Sequence, residues 1–337
     1  MRVFRAGIPN PKSVYANAGL GDIKKIGIHL RESGIGDDLH AMPAVSWLCD
    51  NGYDVTVIGT PFTRECWESC GAKFLNVFDV GMSKMMEFGR YYILNQWSVW
   101  EEMRLGYSPM PRFNQFAELV HAELPEKFSW LERLEPWNSK HEMTWELDYK
   151  DVRKMKPYIV FSPAATSRWR MFPKWKSLWL FLCLRHKYHK VLWVESKTKA
   201  RGGWNKIKSI PFELAMKLCF AKRYKCFSFR EMMYLVYHSD RVVGVDSGIT
   251  NLAAAFGKPV IGIFGITDGE VIMSQFKRYV AGEMNVIQGK GIEDRCKSPC
   301  WEFPENGFTD ELCCGQYKEA ACLKGIKIEN ILSIALN

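Results

Sequence analysis

Residues 241–264 read RVVGVDSGITNLAAAFGKPVIGIF, and this stretch decides the fold. Arg241–Val245 is a short apolar run with β-branched residues, as expected of a buried parallel strand. The polar turn at Asp246, Ser247 and Gly248 begins a small-residue helix, and Val260–Phe264 is the next strand. A strand, a turn, a short helix and a second strand in this order predict one βαβ unit of a parallel sheet.

The polar turn predicts an anion-binding site. A helix that begins just beyond the carboxyl end of a strand presents free backbone N–H groups and the positive end of the helix dipole. Asp246, Ser247 and Gly248 are therefore predicted to form part of a diphosphate site. The same residues also suit an ordinary αβ connection with a good helix cap, and the pattern alone leaves both interpretations open.

Strands and helices alternate through the rest of the chain in two halves, residues 1–150 and 151–337. We predict an α/β fold of two Rossmann-like, doubly wound domains that face a central cleft, with ligands at the carboxyl ends of the strands. The predicted strands cover residues 25–30, 53–58, 73–78, 91–97, 157–161 and 190–194. The predicted helices cover residues 38–49, 63–70, 178–185 and 229–238.

Length and composition exclude several classes of protein. The chain has 337 residues, which suits two domains, and 47% of them are hydrophobic, as in globular proteins. No uncharged apolar run approaches the roughly 20 residues that span a bilayer. Residues 1–21 lack the apolar core of a secretory signal, so we expect a cytoplasmic protein. Its eleven cysteines are then expected to be reduced thiols or metal ligands rather than disulfides.

The charge is concentrated in one segment. Residues 151–225 contain 19 Lys and Arg against three acids, a net charge of +16, whereas the whole chain carries +9. Thirteen aromatic residues are interleaved in the same segment. Such a region attracts polyanions, which include nucleic acid, a phosphorylated glycolipid and a membrane surface. A solvated lysine-rich face around an aromatic core explains most single lysines, but it explains their segregation less well.

A glycine-containing loop, SGIGDDLH at residues 33–40, follows the first strand. Gly34 and Gly36 permit a tight turn and close approach of a ligand. Asp37 is predicted to face the cleft, where its carboxylate can take a proton from an acceptor hydroxyl. The alternative is structural, with Asp37 or Asp38 capping the first helix.

A second polar segment, SPAATSRWRMFPKW at residues 162–175, follows the first strand of the second half. Thr166 and Ser167 offer hydroxyl groups, and Arg168 and Arg170 offer guanidinium groups, to phosphate oxygens. By topology this segment is predicted to lie at the same sheet edge as Asp246. A basic surface loop is the competing interpretation.

Five cysteines near the carboxyl end form the pattern Cys-x3-Cys-x12-Cys-Cys-x7-Cys, and four thiolates of such a set can hold a structural zinc or iron ion. The spacing is looser than that of paired Cys-x2-Cys motifs, and free, partly buried thiols are the alternative. The cysteines are Cys296, Cys300, Cys313, Cys314 and Cys322.

Taken together, these segments resemble the heptosyltransferases, glycosyltransferase family 9. The resemblance rests on the GD loop at residues 36–37, on PAAT with a downstream basic residue and FP at 163–173, and on DSGITNLAAAFGKP at 246–259. It also includes FGITD at 264–268 and ACLKGI at 321–326. The resemblance spans residues 24–335, and residues 82–145 show no match within it.

The resemblance implies a GT-B fold and an inverting sugar transfer from a nucleotide-diphosphate sugar, of heptose type, without a catalytic metal. Asp37 matches the proposed general base of the family. Seven further residues match family positions that bind the donor phosphate, that form the donor-binding turn or that lie downstream of this turn. They are Thr166, Arg170, Asp246, Ser247, Gly248, Thr267 and Asp268.

The chain departs from the family pattern at several points, and the acceptor stays open. Asn251 stands where the family commonly has His, and Arg170 where it usually has Lys. The family resemblance favours a lipopolysaccharide-core or other glycan acceptor, at the inner face of the membrane. The basic, aromatic-rich segment favours a hydroxylated DNA base, as in phage enzymes that act in an infected host. A nucleotide-sugar-binding protein without turnover is a further alternative, and a sugar-nucleotide epimerase is a weaker one.

Overall fold

The computed structural model describes residues 24–30, 34–81, 87–94, 112–136, 156–165, 168–188, 190–196, 210–219, 223–226, 228–291, 298 and 320–335. The chain divides into two compact units, of which the first runs to Leu134 and the second begins at Glu135. The boundary predicted between residues 150 and 151 lies outside the described residues. None of the helices in the described ranges has both the length and the apolar character needed to cross a bilayer.

In the described part of the first unit, four parallel strands form a sheet in the order β3-β2-β1-β4. Its strands are β1 (Lys25–His29), β2 (Asp54–Gly59), β3 (Lys73–Asn76) and β4 (Arg90–Ile93). Its helices are α1 (Ile35–Asp50), α2 (Arg64–Glu68), α3 (Arg112–Leu119) and α4 (Trp130–Leu134). The strand order reverses between β1 and β4, and ligands of open α/β sheets bind beyond the carboxyl ends of strands at such a switch point.

Helix α1 contains a proline, and a donor from elsewhere in the chain replaces its missing N–H group. Pro43 lies inside α1 and cannot donate to the carbonyl of Leu39, four residues earlier. The indole Nε1–H of Trp130, at the start of α4, donates to that carbonyl at 3.0 Å. Leu39 and Trp130 are both fully buried. The indole therefore satisfies a carbonyl that would otherwise lie in the core without its backbone donor.

The residues of the second unit that the structure describes contain a sheet of six parallel strands in the order β10-β9-β8-β5-β6-β7. The strands are β5 (Ile159–Ser162), β6 (Val191–Ser196), β7 (Arg223–Cys226), β8 (Arg241–Val245), β9 (Val260–Phe264) and β10 (Met284–Gln288). The helices are α5 (Lys174–Tyr188), α6 (Ile210–Leu218), α7 (Phe229–His238), α8 (Gly248–Ala255), α9 (Gly269–Lys277), α10 (Ala321–Gly325) and α11 (Ile328–Ala335). This is the Rossmann strand order, with its switch point between β5 and β8.

Close approach of α8 to the sheet depends on Gly244 in β8. A Cβ atom at this position would lie 2.5 Å from Thr250 Oγ1 and 3.1 Å from the Ser162 carbonyl oxygen. Gly244 is paired with Ser162, the last residue of β5. The absent side chain therefore lets the first turn of α8 lie directly against the two strands of the switch point.

Side chains from other elements of the second unit donate hydrogen bonds to backbone carbonyls at the ends of the carboxyl-terminal helices α10 and α11. Arg241 Nη1 donates to Ala335 O at 2.7 Å, and Lys176 Nζ donates to Ile326 O at 2.9 Å. Tyr188 also donates its hydroxyl group to Ala335 O. Cations at the end of a helix satisfy its last carbonyls and complement the helix dipole.

The predicted strands at Arg241–Val245 and Val260–Phe264 and the predicted helix at Phe229–His238 are confirmed. The strand predicted at 73–78 instead ends at Asn76, because Val77–Asp79 forms a 3-10 turn in which Asn76 Oδ1 accepts the N–H of Phe78 at 3.2 Å. The strand predicted at 91–97 begins at Arg90 and ends at Ile93, and residues 95–97 lie outside the described residues. Both units contain parallel sheets, as predicted.

We expect Trp130→Phe to lower the free energy of unfolding by about 1–3 kcal/mol, since it leaves the buried Leu39 carbonyl without its donor. Pro43→Ala returns a backbone N–H to that carbonyl, so it should stabilise the Trp130→Phe protein more than it stabilises the wild type. Urea unfolding of the four proteins of this double-mutant cycle measures the difference, which we expect to be about 1 kcal/mol. Strictly additive effects would contradict this role of the indole.

Candidate active site

The switch point of the second unit contains a buried carboxylate. Asp246 follows β8 directly and is 4% exposed. Its Oδ2 atom accepts a hydrogen bond from Thr267 Oγ1 at 2.8 Å and lies 3.5 Å from Arg170 Nη1. A buried carboxylate is tolerated only when hydrogen bonds and an opposite charge replace its hydration. Asp246 therefore anchors both the hydroxyl group and the guanidinium group at this edge of the sheet.

Arg170 reaches this carboxylate from the segment that follows β5. It ends the 3-10 turn Arg168–Arg170, and 30% of its side-chain surface is exposed. The structure thus brings together the two polar segments that the sequence places at one sheet edge. Thr166 and Ser167 lie outside the described residues, as does the side chain of Arg168.

The N-terminus of α8 lies next to this carboxylate in the chain. Ser247 is the N-cap residue with an extended backbone (φ −150°), and among the described residues its side chain makes no capping hydrogen bond to the first turn. Its hydroxyl group instead lies 3.3 Å from Thr250 Oγ1, which donates to Val245 O at 2.6 Å. The N–H groups of the first turn, including that of Gly248, are therefore not bound by the cap side chain, which is the condition for anion binding at a helix start.

The two residues predicted downstream, Thr267 and Asp268, have different surroundings. Thr267 is buried and contacts Asp246. Asp268 is the N-cap of α9, and its Oδ1 atom accepts the N–H groups of Glu270 at 3.0 Å and Val271 at 3.2 Å. Thr267 is therefore part of the carboxylate cluster, whereas the contacts of Asp268 are those of a helix cap.

Asp37 lies in the first turn of α1, after β1 at the switch point of the first unit, with 23% of its side chain exposed. Its Oδ2 atom accepts the backbone N–H of Gly34, the N-cap residue, at 3.2 Å. Its Oδ1 atom accepts from Arg112 Nη1, at the start of α3. The carboxylate thus closes the helix start and is also reachable from solvent, so both predicted roles are compatible with its position. Gly36 is the second residue of the helix.

The neighbouring acid, Asp38, has a different environment. It is 2% exposed and accepts a hydrogen bond from Thr63 Oγ1, at the end of the 3-10 turn that follows β2. A carboxylate enclosed in this way has no route to a substrate hydroxyl group. Of the two adjacent acids, Asp37 is therefore the one that solvent can reach.

Arg112 was not identified from the sequence. It lies 75 residues from Asp37, and the pattern around it shows only helical spacing. The sequence around a basic residue at the beginning of a helix does not identify a partner that is distant in the chain. A co-varying acid and base in related sequences is the signal that finds such a pair.

One turn beyond Asp37, His40 is buried and uncharged. The pKa of His40 is lowered to about 3, mainly by burial and in addition by the positive charge of Arg112, while the negative charge of Asp37 opposes the shift. The imidazole ring packs edge-on against Phe113, with 5.0 Å between ring centroids. At neutral pH His40 is thus a core residue of the α1–α3 contact.

The predicted metal site falls largely outside the described residues. Cys296, Cys300, Cys313 and Cys314 are not described, and Cys322 is 1% exposed in α10. A Cβ atom at Gly265 would lie 2.9 Å from Cys322 Sγ, so this thiol packs against the end of β9. No group of three or more His, Cys, Asp or Glu residues in the described ranges is arranged to hold a metal ion. A metal at the cysteines stays a prediction.

The structure is similar to solved glycosyltransferases. One is the iron-containing dodecameric glycosyltransferase TibC of enterotoxigenic Escherichia coli H10407, with a TM-score of 0.59, 11% identity, and 94% of this chain and 78% of that chain covered. Another is E. coli ADP-heptose lps heptosyltransferase II, with a TM-score of 0.50, 14% identity, and coverage of 93% and 97%. TibC in complex with ADP-D-beta-D-heptose matches with a TM-score of 0.56, 12% identity, and coverage of 95% and 78%.

At these identities the likeness shows the fold. The chain therefore has the GT-B type of α/β fold with two Rossmann-like domains, and the predicted fold class is confirmed. A search of curated proteins by sequence gives no match. The profile of glycosyltransferase family 9 (heptosyltransferase) matches residues 112–299, more than half of the chain. The protein belongs to this family, so the resemblance drawn from the motifs is confirmed.

The protonation of His40 predicts a pH dependence of stability. Its pKa is about 3 in the folded protein and about 6.5 in the unfolded chain. The unfolded chain binds the extra proton between these values, so the contribution of neutral His40 is complete above pH 6.5 and is lost as the pH falls toward 3. We expect His40→Gln to reduce the slope of unfolding free energy against pH by about 1.4 kcal/mol per unit between pH 6 and 4.

Urea unfolding at each pH measures these slopes. His121→Gln is the control, because His121 lies at the surface beyond the end of α3. Parallel pH profiles of wild type and His40→Gln would contradict the assignment of His40 as a buried neutral residue.

Proposed function

We propose that this glycosyltransferase is an inverting enzyme that moves a heptose-type sugar from a nucleotide-diphosphate donor to a hydroxyl group of an anionic acceptor. The observation that carries the proposal is the cluster of Asp246, Thr267 and Arg170 beside the N-terminus of α8. A guanidinium group held by a buried carboxylate and the N–H groups of a helix start both donate hydrogen bonds to anions. They occupy the position where Rossmann-type sheets bind nucleotides.

The donor is proposed to bind through its diphosphate. Among the described residues, the proposed contacts are Arg170 and the first turn of α8. The family resemblance adds Thr166, and the hydroxyl group of Ser167 and the guanidinium group of Arg168 are further donors that the sequence offers to phosphate oxygens. TibC, which has a similar fold, is known in complex with ADP-D-beta-D-heptose, and this supports a donor of the same class. These groups also stabilise the charge on the departing diphosphate, so the proposed catalysis needs no metal.

The proposed reaction is a single displacement. The acceptor oxygen attacks the anomeric carbon while the bond from that carbon to the phosphate oxygen breaks, and the diphosphate leaves with the bonding electrons. Asp37 takes the proton of the acceptor hydroxyl group as general base. Arg112 and the N–H group of Gly34 orient the two oxygens of this carboxylate. The anomeric configuration is inverted because only one displacement occurs.

The acceptor is proposed to be an anionic glycan such as the lipopolysaccharide core, reached in the cytoplasm at the inner face of the membrane. The net charge of +16 in residues 151–225 supports an anionic acceptor. Among the described members of this segment, Lys187, Lys190 and Lys217 are exposed.

A second candidate acceptor is a hydroxylated base in DNA, in a phage-infected host. Trp175 and Trp179 lie one turn apart on α5 and are 57% and 58% exposed. Exposed aromatic rings among basic residues are the groups on which unpaired bases stack. This feature supports nucleic acid more directly than it supports a glycan.

Asp37→Asn removes the proposed base while keeping the size of the side chain. We expect sugar transfer to fall by about 100-fold or more, because general-base catalysis contributes 10²–10⁴-fold. Nucleoside diphosphate affinity should stay within about twofold, since no diphosphate charge meets this residue in the proposed mechanism. Transfer is followed as nucleoside diphosphate release with a panel of nucleotide sugars and acceptors.

Asp50→Asn, at the carboxyl end of the same helix, is the matched control and should retain transfer. Transfer at the wild-type rate by Asp37→Asn would refute the base assignment. A wild-type protein that binds donors yet transfers to no acceptor would support the alternative of a nucleotide-sugar-binding protein without turnover.

The two acceptor classes differ in their response to salt. If DNA is the acceptor, log Kd for a duplex should rise steeply with log[salt], with a slope of about 0.9 per phosphate contact. If a glycan is the acceptor, lipopolysaccharide core should be glycosylated and duplex DNA should not. Fluorescence anisotropy at 50 and 200 mM salt tests the first expectation. The absence of measurable DNA binding at 50 mM salt would eliminate the nucleic-acid acceptor.

A further inference from the structure

The 265–269 loop, which carries Thr267, is held by a side chain from a neighbouring strand. Gln288 is the last residue of β10 and is paired in register with Phe264, the last residue of β9. Its Nε2 atom donates to the carbonyl of Gly265 at 2.7 Å. Its Oε1 atom accepts the N–H of Gly269 at 3.0 Å. One amide group thus bridges the first and the last residue of the loop.

Both ends of this bridge meet backbone groups that need a partner. Gly269 begins α9, and its N–H group is one of the helix-start donors that lack an intrahelical acceptor. Asp268 accepts the next two N–H groups, those of Glu270 and Val271, so Gln288 completes the start of the helix. Only a side chain with both a donor and an acceptor at its tip can make the two contacts, which is the property of Gln.

The bridged loop determines where Thr267 points. Three residues separate the two anchored glycines, and two of them, Ile266 and Thr267, are 6% and 5% exposed. Thr267 Oγ1 donates to Asp246 Oδ2 at 2.8 Å, and the same oxygen faces Arg170. Ser298 Oγ also donates to the Gly265 carbonyl, at 2.5 Å, so this end of the loop keeps a partner when Gln288 is replaced. The Gly269 end loses the hydrogen bond from its N–H group to Gln288.

We propose that Gln288 is a positioning residue of the donor site, which acts by holding Thr267 against Asp246 and thereby fixing the orientation of Arg170. This role rests on the proposed function, since it assumes that the diphosphate binds at Arg170 and α8. Gln288 itself contacts no substrate in this scheme, and its effect reaches the ligand only through Thr267.

Isothermal titration with ADP tests the role, followed by UDP, GDP and CDP if ADP does not bind. Gln288→Met keeps the length of the side chain and removes both hydrogen bonds, so Kd should rise by about tenfold. Gln275→Met is the matched control. Gln275 is a buried glutamine of α9 whose Nε2 atom donates to Val271 O at 3.2 Å. This control should lose stability while Kd stays within about twofold of the wild-type value.

A double-mutant cycle with Thr267→Val tests the route of the effect. Because Gln288 acts through Thr267, Gln288→Met should weaken ADP binding little further once Thr267 is Val. Additive losses in the cycle would overturn the proposal, as would equal losses of affinity in Gln288→Met and Gln275→Met at matched stability. If Gln288→Met does not fold, Gln288→Asn replaces it, because a shorter amide does not span both ends of the loop.

The outcomes separate this inference from the proposed function. Nucleotide binding by the wild type that is unchanged in Gln288→Met would refute the positioning role alone. No binding of any of the four nucleoside diphosphates to the wild type would refute the donor site and the positioning role together.

Discussion

The donor half of the proposed site depends on the burial of one carboxylate. Asp246 loses nearly all of its hydration at the end of β8, and its negative charge is tolerated only because Thr267 donates to it and Arg170 faces it. Each of these partners comes from a different loop. The requirement to satisfy one buried charge therefore ties together the segment after β5, the turn after β8 and the loop after β9.

The chain uses its carboxylates in different ways according to their exposure. Asp38 and Asp246 are buried and hold other groups in place. Asp268 accepts helix-start amides as a cap. Asp37 keeps part of its surface exposed while Arg112 and a backbone amide orient it. Of these four acids, Asp37 is the one whose surroundings suit proton transfer to or from a substrate, whereas the buried pair suits electrostatic anchoring.

Much of the fold was predictable because local signals agree with the final structure. The strand at Arg241–Val245 and the helix at Phe229–His238 have clear hydrophobic patterns, and the helix begins with a capping box of Ser228 and Glu231. Strand β10, in contrast, reads MNVIQ with only two buried residues, so its pattern does not stand out. Its position is determined by pairing with β9, and the local sequence pattern does not encode that tertiary contact.

The candidate site divides in the same way. The turn at Asp246 and the loop at Asp37 can be identified from local sequence, because glycines and polar residues follow apolar strands there. Arg112 and Gln288 do not, since their partners lie 75 and 19 residues away and nothing in their neighbours points to them. The sequence thus predicts where a ligand binds, while the residues that orient the binding groups emerge only from the tertiary structure.

A crystal structure of the protein with ADP tests the central claim most directly. We expect the terminal phosphate to lie within hydrogen-bond distance of the Arg170 guanidinium group and of backbone N–H groups in the first turn of α8, with the bond between Thr267 and Asp246 intact. A nucleotide bound away from the β5–β8 switch point, or one that displaces Arg170 from Asp246, would contradict the claim that this buried carboxylate organises the donor site.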